Sequence, residues 1–165
     1  MRKHEIHTLA EYVANEKNRA KGRTRRRARR DLEGQIQREI IRWARGHMLA
    51  SGDRIRIWHP ANELDQGGTS EQRRRKLSQR SALGVLAGVP DLIMTNRAPS
   101  DPDARGIAFE VKAPGGKTSP AQDLMLQELQ IDGWIVRVVY SPGDVLDHLQ
   151  GLGFCFIPAG HKKGG

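Results

Sequence analysis

Gly88-Val-Pro-Asp-Leu-Ile-Met94 and Phe109-Glu-Val-Lys112 are two short apolar runs, each carrying charge where a buried strand ordinarily carries none. Both read as β-strands. Pro90 stands at the start of the first, where a missing N–H is best tolerated. Asp91, Glu110 and Lys112 are thereby set in sequence that otherwise looks buried. Burying charge is costly unless the charges pair or bind a metal.

Between the two runs, Asn96 to Arg105 is polar, Pro-rich and hairpin-like, and after them Ala113-Pro-Gly-Gly-Lys-Thr118 is a tight loop. Ser119-Pro-Ala-Gln122 announces a helix, with Ser as N-cap, Pro at the first helical position and Gln three residues after the cap. Leu124, Leu126, Leu129 and Ile131 supply its apolar surface and Gly133 ends it. Trp134 to Tyr140 is a strongly β-forming run. Ser141-Pro142 begins a last helix through Leu149, and Phe154 to Ile157 reads as an edge strand.

Upstream, Glu71 to Leu83 reads as a very basic helix and residues 61–70 as a loop. Arg54 to His59 alternates with period two, as a half-buried strand does. From Asp31, a candidate N-cap, the positions Leu32, Ile36, Ile40, Ile41, Trp43, Ala44 and Met48 mostly follow helical spacing, predicting a helix to about Ala50. Residues 1–16 could form a further short helix with Ile6, Leu9 and Val13 on one face. The order is that of a mixed α/β domain with helices on a central sheet.

The 165 residues fit one domain at residues 31–157, with a basic arm at 1–30 and a frayed tail at 158–165. The net charge of +9 belongs to the arm. Residues 1–30 hold 11 Lys and Arg against 3 Glu, whereas the rest of the chain holds 17 basic against 16 acidic residues. Such a block attracts phosphates without sequence preference; as a solvated tail it would serve solubility alone. No run is long and apolar enough for a membrane span, and no signal peptide is visible at the N-terminus. The single Cys155 excludes an intramolecular disulfide and fits a reducing cytosol.

Two acids and a lysine at strand ends are what metal-assisted phosphodiester hydrolysis needs: charge neutralisation, an activated water and a stabilised leaving oxygen. Asp91 and Glu110 could share one divalent cation, and hard carboxylate oxygens suit Mg²⁺ or Mn²⁺. In a strand, residues i and i+2 face the same side, so Glu110 and Lys112 point together while Val111 turns into the core and can offer its backbone carbonyl as a ligand. An ordinary Glu–Lys pair beside a turn aspartate would give the same string. The Arg73–Lys76 cluster (Arg73, Arg74, Arg75, Lys76) is the best candidate in the domain for gripping a phosphate backbone, and a solvated helix face is the alternative. His59 reads as a strand-end residue, and Trp43 and Trp134 as core or interface; Asn62 and Glu63 are explained equally by loop polarity.

Taken together, Leu32-Glu-Gly-Gln-Ile-Gln37, Gly84 to Asp91, Phe109-Glu-Val-Lys112 and Gly115 to Gln122 resemble the virus-type replication-repair nuclease (VRR-NUC) family of the PD-(D/E)XK nucleases. The resemblance spans roughly residues 31–150 and is most specific from Ala87 to Gln122. It implies an α-β-β-β-α-β core with a central mixed four-stranded sheet, here with a basic helical insertion. By resemblance Glu33 is the acid of the first helix near the metal, Asp91 and Glu110 bind the metal, Lys112 is the catalytic lysine, and Gln122 lies near the site. Glu33 could instead simply favour its helix's first turn, and Gln122 fits a capping box as well.

The implied activity is Mg²⁺- or Mn²⁺-dependent cleavage of branched, junction or nicked DNA in phage replication, repair or recombination, by a homodimer in the host cytoplasm. Arg25, Arg26, Arg27, Arg29 and Arg30 of the arm, the Arg73–Lys76 cluster and Lys117 are the expected DNA contacts. A restriction-type, sequence-specific nuclease and a catalytically inactive DNA-binding module are the rival readings. The 61–70 loop and the arginine-rich arm depart from the family pattern.

Overall fold

The computed structural model describes residues 27–29, 31–60, 69–72, 75 and 86–160. The expected helix at 1–16, the 61–70 loop up to residue 68, most of the basic helix at 71–83 and the tail from residue 161 lie outside the described residues, as do Arg25, Arg26, Arg30, Asn62, Glu63, Arg73, Arg74 and Lys76.

The described chain is a mixed α/β fold. A helix over residues 31–45 (α1) is followed by β1 (His47–Leu49), β2 (Ile57–Trp58), β3 (Leu92–Met94), β4 (Ile107–Val111), α2 (Pro120–Ile131), β5 (Ile135–Val139), α3 (Pro142–Gly151) and β6 (Phe156–Pro158). Residues 70–72 and 75 are also helical, within the expected insertion. The central sheet has the order β2-β3-β4-β5, antiparallel except for the parallel pair β4–β5. A parallel pair needs a crossover, and α2 provides it.

β4 is the axis of the fold. All five of its residues are buried, because β3 and β5 flank it and helices cover both faces. Ile107, Phe109 and Val111 join Leu92 and Met94 in the main core with Ile36 and Ile40 of α1 and Val145 and Leu149 of α3. The pleat turns Ala108 and Glu110 to the other face, where Gln122 of α2 meets Glu110.

Several local expectations are corrected. Asp31 is itself helical and helical residues 27–29 precede it, so it is not the N-cap of α1. The helix also stops at residue 45 rather than near Ala50. Gly46 closes it, donating to the carbonyls of Arg42 and Trp43, and His47–Leu49 pairs antiparallel with β6. His47 stays tied to the helix end through Nδ1, 2.8 Å from the Trp43 carbonyl. The edge strand near the C-terminus exists, but it pairs with β1 rather than with the central sheet.

The six-residue strand at 54–59 keeps its alternating burial yet pairs with β3 only at Ile57–Trp58. Buried Asn96 replaces the missing ladder: its Oδ1 accepts from Arg56 N at 2.6 Å and its Nδ2 donates to the Arg54 carbonyl at 2.9 Å. In α2 only Leu126 is buried; Leu124 and Ile131 face solvent, so the helix supplies less apolar cover than its leucines suggest.

The start of α2 is fixed by its sequence. Ser119 accepts from Gln122 N, the Gln122 side chain accepts from Ser119 N, and Pro120 opens the first turn. Gly88 packs directly on that turn. Its φ is +80°, and a Cβ there would lie 2.2 Å from the Ala121 carbonyl oxygen, so only glycine fits. This close approach seats the Gly88–Asp91 segment against the helix that carries Gln122.

Candidate active site

Asp91 precedes β3, Glu110 and Lys112 lie at the C-terminal end of β4, and the antiparallel register of β3 on β4 brings these ends together. Asp91 Oδ2 accepts the Val111 N–H at 2.9 Å, so the aspartate is fastened to the peptide that follows Glu110. Glu110 is fully buried. Its Oε1 accepts from Lys112 Nζ at 2.5 Å and also from Gln122 Nε2. Its Oε2 is buried with no hydrogen-bond partner among the described residues.

Lys112 is 7% exposed and forms with Glu110 the one ion pair among the described residues. Its backbone N–H donates to the Val139 carbonyl at 2.9 Å, which continues the β4–β5 pairing beyond the strand and holds the lysine's origin still. Glu33 arrives from α1, on the opposite face of the sheet, and its Oε1 accepts the Ala113 N–H at 3.1 Å. Glu33, Asp91, Glu110, Lys112 and Gln122 are thus all joined to one stretch of chain, residues 110–113.

The electrostatics follow from burial. Glu110 is pushed up to about 7, chiefly because burial penalises its charged form and secondly because the Asp91 charge is near; the Lys112 hydrogen bond and charge oppose this. Asp91 is also raised by burial, against the Val111 N–H and the charges of Lys112 and His59, which favour its ionised form. Two carboxylates with raised affinity for protons have the same surplus of negative charge that a cation would satisfy.

His59 is the residue that sequence reasoning undervalued. It lies just past β2, and its Nδ1 is 2.6 Å from the Asp91 backbone carbonyl, so it buttresses the aspartate from the neighbouring strand. The signal was its position: a residue ending a strand antiparallel to β3 must fall beside the start of β3.

Of the described DNA-contact candidates, Arg27, Arg29, Arg75 and Lys117 are all exposed. Arg29 reaches the Gly115 carbonyl at 3.5 Å, in the loop that leaves Lys112. Trp43 stacks on His47 and meets Phe156 edge-on, a packing role, and the Trp134 ring lies over Gly106. No described helix is long and apolar enough to cross a membrane.

The site thus joins a buried carboxylate–lysine pair to a second carboxylate, on a mixed sheet with helices on both faces. The family model described as the VRR-NUC domain matches residues 32–142, and the chain belongs to that family. A solved structure described as a "VRR_NUC domain protein" shares the fold, with a TM-score of 0.54 and 22% identity over 72% of this chain and 84% of that one. Comparison with curated protein sequences found no match.

Proposed function

We propose that this chain is a divalent-metal-dependent DNA endonuclease with a PD-(D/E)XK site, acting on branched, junction or nicked DNA. The observation that carries the reading is the buried Glu110 carboxylate, paired to Lys112 through one oxygen and unpartnered at the other, beside an aspartate fastened to the next peptide.

The donor set fits a hard cation. Asp91, Glu110 and the Val111 backbone carbonyl supply oxygen donors, and the unpartnered Glu110 Oε2 is an acceptor that burial leaves without a proton donor. Among the described residues no three His, Cys, Asp or Glu side chains are grouped for metal binding. Glu33, with Oε1 on the Ala113 N–H, is therefore assigned to holding the end of the Glu-X-Lys strand, with a metal role only in addition. When bound, Mg²⁺ or Mn²⁺ would supply charge neutralisation at the scissile phosphate and a more acidic water.

The protein's own groups divide the remaining work. Lys112 Nζ spends one of its three donors on Glu110 Oε1, leaving two to orient the attacking water and to meet a phosphate oxygen. Gln122 is a positioning residue: its Oε1 is held by Ser119 N at 2.9 Å while its Nε2 fixes Glu110, so helix cap and site share one side chain. Burial keeps competing water from the Glu110–Lys112 pair.

A homodimer would let a small domain cut two strands symmetrically. Phage replication, repair or recombination in a host cytoplasm is the setting that the family resemblance suggests. The test is incubation of the purified chain with supercoiled plasmid and with branched and nicked DNA, with and without Mg²⁺ or Mn²⁺. Metal-dependent cleavage that disappears in Asp91→Asn and Lys112→Ala supports the reading. Tight binding with no cleavage under either metal would leave the inactive binding module in its place.

A further inference from the structure

α1 carries an exposed basic face. Its buried stripe, Ile36, Ile40 and Ala44, faces the sheet. Turned from that stripe, Arg38, Arg42 and Arg45 recur at i, i+4 and i+7, the spacing of one helix face. With Gln37, Ile41 and His59 they line an open groove of about 460 Å³. The lining contains no acidic residue, and all three arginines are exposed. The groove is not an isolated patch. His59 lines it and is bonded through Nδ1 to the Asp91 backbone carbonyl, so one lining residue of the groove also touches the residue that carries a site carboxylate.

We propose that this groove is the track for the DNA backbone flanking the scissile phosphate, with Arg38, Arg42 and Arg45 contacting successive phosphates and His59 marking the end next to the cut. The inference rests on the nuclease reading for its orientation, but its chemistry stands on the groove.

The dimensions agree. Seven residues of α-helix rise about 10 Å, and the long arginine side chains extend that span, so the stripe is long enough to meet more than one phosphate of a strand. Guanidinium groups suit phosphate oxygens because their planar forks donate two parallel hydrogen bonds. Gln37 adds an uncharged donor, and the apolar floor at Ile41 offers nothing that would repel a sugar. These contacts carry no base information, so the track would position DNA without selecting sequence.

The test uses the full chain carrying Asp91→Asn, so that DNA stays intact, and measures its affinity for a duplex by fluorescence anisotropy across a salt series. The triple variant Arg38→Ala/Arg42→Ala/Arg45→Ala should weaken binding at least tenfold and lower the slope of log K against log[salt] by about two to three. The matching triple Lys variant should keep the slope, because it keeps the charges. Arg105→Ala/Arg137→Ala, on exposed arginines outside the groove, should change neither.

An unchanged affinity and slope in the Ala triple would overturn the proposal, as would no DNA binding by the parent. A Lys triple whose salt slope falls as far as that of the Ala triple would assign the loss to structure and overturn it equally. Cleavage by the wild-type chain is a separate readout: arginine-dependent binding without cleavage would leave the track standing and remove the nuclease reading, whereas cleavage with arginine-independent binding would remove the track alone.

Discussion

Asp91 Oδ2 accepts the backbone N–H of Val111 at 2.9 Å, so the side chain that begins one strand is bonded to the middle of the Glu-X-Lys string on the next. The bond has two consequences. It aligns β3 with β4 at the end where the charges collect, and it occupies one oxygen of the aspartate while leaving its charge in place.

Asp91→Asn therefore separates fold from chemistry. An asparagine Oδ1 can still accept the Val111 N–H, so the melting temperature should move by only a few degrees, in line with a change of about 1 kcal/mol. Cleavage should fall by about a hundredfold or more, the scale on which loss of one electrostatic group at a reacting centre is felt. A plasmid-nicking time course beside a thermal melt checks both.

Lys112→Ala removes the cation that Glu110 leans on. Cleavage should fall by about 10²–10⁴-fold, the range for loss of a proton-handling group. Removing a buried partner outright can cost about 3–5 kcal/mol, but a carboxyl already raised to about 7 can take up a proton instead, so the stability loss should be smaller near pH 6 than near pH 8. Urea unfolding at those two pH values measures the difference.

Glu110 also makes metal-free stability depend on pH. Its folded-state affinity for protons is raised from the ordinary value of 4.5 to about 7, so between these values the folded chain holds more proton than the unfolded chain. Stability from this group is present at low pH and is lost as pH rises through about 7, with a slope of up to about 1.4 kcal/mol per pH unit. Unfolding in chelator-treated buffer from pH 5 to 8 should show this loss in wild type, and Glu110→Gln should flatten it. Equal slopes in the two proteins would contradict the assigned burial of Glu110.

Gly88→Ala should be among the most damaging single methyl additions in the chain. The new Cβ would meet the Ala121 carbonyl oxygen at 2.2 Å on a backbone at φ +80°. The expected loss is about 3 kcal/mol or more, from strain and steric overlap together. Because the same contact seats Asp91, the folded fraction should also cleave poorly, which activity normalised to folded protein would show.

Deleting residues 1–26 removes eight Lys and Arg and three Glu while keeping Arg29, which reaches the Gly115 carbonyl. Affinity for DNA should weaken and its salt dependence flatten, with the cut positions on a branched substrate unchanged. A shift in the cut positions would make the arm a recognition element.

The strands at 92–94, 107–111 and 135–139, the capped helix at 120–131 and the family were all legible in the chain, because each rests on local chemistry: β-forming runs, a Ser-Pro start, a Glu-X-Lys string. The predicted extension of the first helix to Ala50 failed because His47–Leu49 finds its ladder partner far along the chain in Phe156–Pro158, and no local pattern announces such a partner. The shortening of the 54–59 strand has the same origin, in the Asn96 side chain that takes over its backbone groups.

At the site, local sequence was enough to mark the charges set in apolar strands: Glu110 and Lys112 are buried and Asp91 half-buried. Tertiary structure alone decided how they are satisfied. It fastened Asp91 to the Val111 amide, spent Glu33 on the Ala113 amide, set His59 behind Asp91 and left one Glu110 oxygen without a partner. Hydrogen bonds are short-ranged and directional, so they depend on register and packing between distant segments, whereas the tendency of an apolar run to be buried is carried by its own residues.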